Sequence, residues 1–258
     1  ASEKNITLDK KGYDNLMLEQ KNKARKSKSF SDKSTSNFTT SHTTEFLGYN
    51  RNNHEGILID LYLDNKKVTK ASNVNEEYLL VLSHTTFYPE GGGQISDIGT
   101  ISSSKCLFEV IDVQKINDTI IHVCNLLSGE ANIKDKLITS FDVNHRSKVT
   151  SNHSSTHLLH HYLRKTLGLH VQQRGSSVTD KGFRFDFTHN KSLSEKELND
   201  IEVSVNKEIS LSSETQSKVL PFDKAIESGA LAFFDEKYDD NVRVISIGKD
   251  SVELCGGT

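Results

Sequence analysis

Residues 108–123 read FEVIDVQKINDTIIHV, and this stretch points to the fold class. Two apolar, β-branched runs, Phe108 to Val113 and Thr119 to Val123, flank the polar Lys115-Ile116-Asn117-Asp118. That is the pattern of a β-hairpin. Working back toward the N-terminus, Ile57 to Leu63 alternates as a half-buried strand does. The turn-forming Asp64-Asn65 follows, then a short strand at Lys67 to Val68. Tyr78 to Leu82 is a compact apolar strand. Short strands at regular turns over residues 44–143 read as a small β-barrel or sandwich.

The pattern changes after residue 144. Ser147 to Leu167 has a helical period, closed by Gly168 as a C-terminal stop. Val171 to Phe187 reads as a hairpin through Asp180-Lys181-Gly182. Ser194-Glu195-Lys196-Glu197 is a capping box opening a helix to about Leu211. Asp223 to Ser228 is a short helix before Gly229, and strands follow at Asn241 to Ile247 and Ser251 to Leu254. The fold class is α+β: a barrel-like unit over 44–143, then an α+β core over 144–258 with helices on one face of a mostly antiparallel sheet. Ahead of both, Leu8, Tyr13, Leu16, Met17 and Gln20 mark a short amphipathic helix with a basic end. The Ser-, Thr- and Lys-rich residues 27–43 read as a linker.

Composition narrows the function classes. The 258 residues carry a formal charge of -3, so any contact with nucleic acid must come from a local patch. The three cysteines are Cys106, Cys124 and Cys255, with no CxxC spacing. A reducing, cytoplasmic setting is therefore expected, with Cys106 and Cys124 as ordinary strand packing. No signal peptide is visible, and no apolar run approaches membrane-helix length, so no membrane partner is expected.

Four constellations carry chemistry. His153 and His157 stand four apart on the helix, one turn from each other, where two imidazoles can share a metal ion. No Glu lies between them, so the general base of a metalloprotease is missing. His160 and His161 follow, and a polar helix face rich in histidine is the plainer reading. Cys255-Gly256-Gly257-Thr258 places a thiolate after a strand, with glycines that permit close backbone approach. Alone it is a buried cysteine; with the histidines it makes three N and S ligands, and a catalytic zinc keeps its fourth position open. In Phe87-Tyr88-Pro89-Glu90-Gly91-Gly92-Gly93-Gln94, three glycines let N–H groups face a ligand, and Gln94 offers a donor and an acceptor. A flexible turn is the alternative. Last, Phe183, Phe185 and Phe187 fill one face of a strand while Arg184 and Asp186 share the other. That pair is either solvated or beside the metal pocket.

In order, these motifs resemble the editing region of alanyl-tRNA synthetases. The resemblance rests on residues 86–94, 152–160, 170–176 (HVQQRGS), 184–189 (RFDFTH), 234–238 (FDEKY) and 253–258 (ELCGGT). It implies that His153, His157 and Cys255 are zinc ligands. The family's Cys-x-x-x-His begins at Cys255, and its closing histidine would fall at position 259, just past Thr258. The resemblance also implies editing roles for Gln94, Gly92 and Gly93, and substrate contacts for Gly91, Gln173 and Arg184. The helix before residue 26 resembles the link between the tRNA-recognition and editing parts, which free-standing editing proteins lack. An excised piece of a larger synthetase is expected. Its partners would be the acceptor end of tRNA(Ala) and the rest of that chain.

The expected reaction is hydrolysis of Ser-tRNA(Ala) or Gly-tRNA(Ala) by a metal-assisted water. No carboxylate in the motifs is an obvious base, so proton removal falls to the metal or to the tRNA ribose hydroxyl. The rivals are a threonyl-type tRNA editing domain, a non-catalytic tRNA-binding module and a metalloprotease.

Overall fold

A computed structural model describes residues 9, 11–12, 15–17, 42–231, 240–248 and 251–258. Residues 11–12 and 15–17 are helical, as expected of the N-terminal helix. The remainder of that helix, the linker up to residue 41 and the motif at 234–238 lie outside the described residues.

Six strands form a closed antiparallel barrel: β1 (Asn53–Leu63), β2 (Glu77–Leu82), β3 (Gly99–Ser102), β4 (Cys106–Ile116), β5 (Thr119–Gly129) and β6 (Lys136–Phe141). Neighbours run β1-β2-β5-β4-β3-β6, and β6 pairs back onto β1. Closure satisfies the backbone groups that an open sheet edge would leave unpaired. The hairpin expected around Asn117 is β4 and β5, with Ile116 opposite Thr119 and Asn117 at φ 53 in the turn. Asp64 and Asn65 make the other tight turn, at φ 50 and 60, the left-handed pair that a two-residue hairpin needs. Leu58, Leu80, Phe108 and Leu126 fill the interior. From Tyr78 onward β2 is apolar without alternation because Leu79 and Val81 are also buried on its outer side, against Tyr62, Ile121 and Val123.

His122 is fully buried among these apolar residues. Its Nδ1 is 3.1 Å from the Leu80 carbonyl and its Nε2 is 2.7 Å from Thr85 Oγ1. A neutral ring satisfies both, donating from Nδ1 and accepting the hydroxyl at Nε2. Thr85 Oγ1 in turn accepts the Phe87 N–H at 3.1 Å, which anchors the chain leading to the glycine loop. Burial lowers the His122 pKa to about 4, against a smaller opposing effect of the Leu80 carbonyl. The unfolded chain therefore binds a proton near pH 6.5 that the folded chain refuses until about pH 4. Stability from His122 is complete above pH 6.5 and is lost as pH falls to 4, by about 3 kcal/mol in all. Urea unfolding at pH 7.5 and 4.5 checks this: the pH-dependent loss should shrink in His122→Gln, and an unchanged loss would assign it elsewhere.

After one residue, Asp142, the barrel gives way to α1 (Val143–Leu167), and the Asp142 side chain accepts the N–H groups of Asn144 and His145. Next come the hairpin β7 (Gln173–Val178) and β8 (Phe183–Phe187), then α2 (Glu195–Ser210), β9 (Thr215–Pro221), α3 (Phe222–Glu227), β10 (Asn241–Ile247) and β11 (Ser251–Leu254). The capping box at Ser194 and Glu197 is formed in both directions. Strands β9, β10 and β11 make a three-stranded antiparallel sheet. Ile245 and Ile247 pack under Leu158 of α1 and Val205 of α2, so both long helices share one face, as expected. Val242, Val244 and Leu254 point to the other face, where Ala225 of α3 covers them, so the expected one-sided helix layer holds for α1 and α2 but not for the short α3. The architecture is thus α+β and mostly antiparallel. Because β11 alternates, Glu253 lies opposite Ile245 and faces α1. Among the described residues no helix is long and apolar enough to cross a membrane.

Candidate metal centre

Helical spacing turns His153, His157 and His160 to the buried side of α1. The rings of His153 and His157 stack with centroids 5.1 Å apart. Cys255 follows the last residue of β11 and reaches the same point. One ligand atom each from His153, His157 and Cys255 lies within 4.8 Å of the others, and Cys255 Sγ is 3.4 Å from His153 Nε2.

Each ring is held by its other nitrogen. His153 Nδ1 is 2.6 Å from Gln94 Oε1, and His157 Nδ1 is 2.5 Å from Glu253 Oε2. Both partners accept, so each Nδ1 carries the hydrogen, and each Nε2 is left to the ligand cluster. The second Glu253 oxygen takes His160 Nδ1 at 2.8 Å. Burial opposes ionisation of Cys255, yet hydrogen bonds and charge from His153 and His157 outweigh it and pull the thiol down to about 5. Burial likewise works against a charged His157, but Cys255 and Glu253 push its pKa up. Glu253 is buried too, and His157 and His160 hold it below the usual carboxylate range. Two imidazole nitrogens and a readily ionised thiol fit a borderline-soft divalent ion, with room for one further ligand.

The Cys-Gly-Gly turn is clasped from two sides. Arg243 donates to the carbonyls of Cys255 at 3.1 Å and Gly257 at 2.6 Å. Its guanidinium lies over the Tyr49 ring, 4.4 Å from the centroid, and the Tyr49 hydroxyl donates to the Gly256 carbonyl at 2.6 Å. Gly257 is required by close approach, since a Cβ there would overlap the His153 ring.

A cavity of about 410 Å³ opens beside the cluster. His153, Thr156, His157 and Cys255 line it from the core, and Phe46, Tyr49 and Tyr88 from the barrel. Gly91, Gly92 and Gln173, three residues singled out in the sequence, also line it. Gly93, Gln94 and Arg184 are not among the lining residues. Gln94 is buried, and its amide is engaged by His153 and by Thr258, to whose Oγ1 it donates at 2.9 Å. Arg184 is exposed on β8 and pairs with Asp186 at 3.1 Å, the solvated pair that was one of its two readings. Sequence reasoning missed Glu253, Tyr49 and Arg243.

The glycine loop is a tight turn. Gly91 and Gln94 exchange backbone hydrogen bonds of 3.1 and 3.0 Å around Gly92 and Gly93, at φ 60 and 81. Glycine adopts those left-handed values without the steric cost that a Cβ adds. At Gly93 a Cβ would also stand 2.6 Å from the Ser176 carbonyl oxygen, whereas at Gly92 it would meet nothing. Gly92→Ala should cost about 1 kcal/mol, from backbone strain only. Gly93→Ala should cost at least about 2 kcal/mol, since β7 must also move. Equal losses in chemical unfolding would show that the Ser176 contact does not constrain the loop.

Residues 1–145 match the family model described as tRNA synthetases class II (A), so His153 and His157 lie beyond its span. The alanine–tRNA ligase of Rickettsia bellii (strain RML369-C) is 40% identical over 262 residues, covering 99% of this chain and 30% of that protein. The alanine–tRNA ligase of Rickettsia akari (strain Hartford) is 39% identical with the same coverage. The chain thus spans about 30% of the length of these curated relatives.

Proposed function

The chain belongs to the tRNA synthetases of class II (A), and from that membership we propose that it is the proofreading part of an alanine–tRNA ligase, hydrolysing Ser-tRNA(Ala) or Gly-tRNA(Ala). The observation that carries this reading is the N, N, S ligand cluster at the wall of a cavity large enough for an aminoacyl nucleoside. Such a site answers a real need. An alanine pocket rejects glycine or serine weakly, because one is smaller and the other merely adds a hydroxyl. A second, hydrolytic site supplies the missing discrimination.

His153, His157 and Cys255 would hold zinc, which when bound supplies a Lewis acid and a water of lowered pKa. Gln94 is a positioning residue that orients His153 through Nδ1. Gly91 and Gly92 let the ester approach the backbone closely, and the Gly92 N–H is a donor for the oxyanion. Gln173, whose Nε2 lies 3.3 Å from Ser176 Oγ, offers a polar contact to the serine hydroxyl. Water adds to the ester carbon, the bond to the ribose oxygen breaks, that oxygen takes up one proton of the water to become a hydroxyl, and the amino acid leaves as a free acid. Three free cysteines suit the cytoplasm.

The test is loss of the ester from pre-charged tRNA(Ala) incubated with the full-length protein. Serine or glycine should be released well above the buffer rate, and alanine far more slowly. Metal-loaded protein that leaves both wrong esters intact would refute the proposal and favour a tRNA-binding module.

A further inference from the structure

We propose that Glu253 is a positioning residue that fixes the ring orientation of His157, with His160 anchoring the carboxylate, and that this relay sets how tightly the centre holds a divalent metal. The inference rests on the metal-centre reading above. Glu253 is 2% exposed, and each of its oxygens is taken by one ring, His157 Nδ1 at 2.5 Å and His160 Nδ1 at 2.8 Å. The two rings stand three residues apart on α1, so the carboxylate bridges one turn of helix. An ionised carboxylate only accepts. It therefore keeps the hydrogen on His157 Nδ1 and leaves Nε2 as the ligand atom. Using its second oxygen on His160 stops the carboxylate from rotating, which a single contact would not do. Glu253 also sits two residues before Cys255 on the same strand, whose backbone is paired to β10 through Ile245↔Glu253. One short segment thus delivers both a ligand and the group that aims its neighbour.

A merely structural ion pair would predict something different. It would stabilise the fold without altering metal affinity once the protein is folded. The experiment compares the full chain with Glu253→Gln, His160→Asn and His160→Leu. Zinc affinity is read by competition with a chromophoric chelator, and the Nδ1–H protons of zinc-loaded, histidine-labelled protein are read by NMR. Glu253→Gln should bind zinc 10- to 100-fold more weakly, the range for loss of such a partner. The Nδ1–H signal of His157 should shift and lose exchange protection, because the single amide oxygen left can serve only one of the two rings. His160→Asn, whose amide can replace the Nδ1 donor, should stay near wild type, and His160→Leu should fall between the two. Wild-type affinity in Glu253→Gln, or a His157 ring bound through Nδ1, would overturn the relay. Should Glu253→Gln fail to fold, the two His160 variants decide, and equal affinities in both would overturn it. A wild-type chain that binds no zinc would instead overturn the metal-centre reading.

Discussion

Replacing Arg146 with alanine is expected to destabilise the protein by about 3–5 kcal/mol, the cost of breaking a buried ion pair and leaving one charge behind. Arg146 is 8% exposed and its partner Asp97 is 2% exposed. Its Nε lies 2.7 Å from Asp97 Oδ1, and its Nη2 contacts Oδ2. Other guanidinium hydrogens go to the carbonyls of Gly48 at 2.9 Å and Thr86 at 3.2 Å, while the Phe141 ring lies 4.0 Å below. Asp97 also accepts the Tyr88 N–H at 2.7 Å. One side chain in the first turn of α1 thus ties together three barrel segments, including those on both sides of the glycine loop. Removing it strands a carboxylate and two carbonyls out of reach of water. Chemical unfolding measures the loss, and a chain of this size should lose roughly 10 °C of melting temperature. Arg146→Ala combined with Asp97→Asn should recover part of the stability, because the stranded charge is gone. A loss under about 1 kcal/mol would mean that the pair is solvated and behaves as a surface bridge.

Arg146 also shows where sequence reading stops. The hairpin about Asn117, the turn at Asp64-Asn65 and the capping box at Ser194 were legible because their signals are local. Each depends on a few neighbouring residues with fixed backbone demands. Strands β3, β6 and β9 left no such signal. In β6 the buried set is Leu137, Thr139 and Phe141, so a polar residue interrupts the apolar alternation. Five of the first five residues of β9 are exposed, so it reads as a loop. Barrel closure itself depends on β6 pairing with both β3 and β1, which no single stretch encodes.

The candidate site divides the same way. His153 and His157 were legible from residue type and helical spacing, Cys255 only beside them and through the family resemblance, and the geometry brings the three together. Glu253 was not legible. In Ser251-Val252-Glu253-Leu254 the alternation assigns the polar pair to the solvent side, yet α1 covers that side. Gln94 was legible as a special residue, but its direction was not. The sequence offers its amide to a ligand, while the structure engages it with His153 and Thr258. Which way a polar side chain points depends on what the rest of the chain packs against it.

Cys255→Ala and His153→Ala should each abolish stoichiometric zinc binding and slow release of serine from Ser-tRNA(Ala) by roughly a thousandfold. A metal that polarises an ester and its water is worth several kcal/mol in the transition state, and each 1.4 kcal/mol is tenfold in rate. The two ligands come from segments far apart in the chain, α1 and the end of β11, so neither belongs to the other's secondary-structure element. What they share is the point where their ligand atoms meet. The double variant should therefore be no slower than either single one, because groups that act as a unit are lost together. Zinc content by metal analysis and deacylation by the full-length protein read the two consequences separately. Single variants that lose zinc but keep the rate would remove the metal from the reaction and leave the cavity's own donors to explain it. Losses that multiply in the double variant would mean that the thiol and the imidazole contribute independently, and the common centre would have to be abandoned.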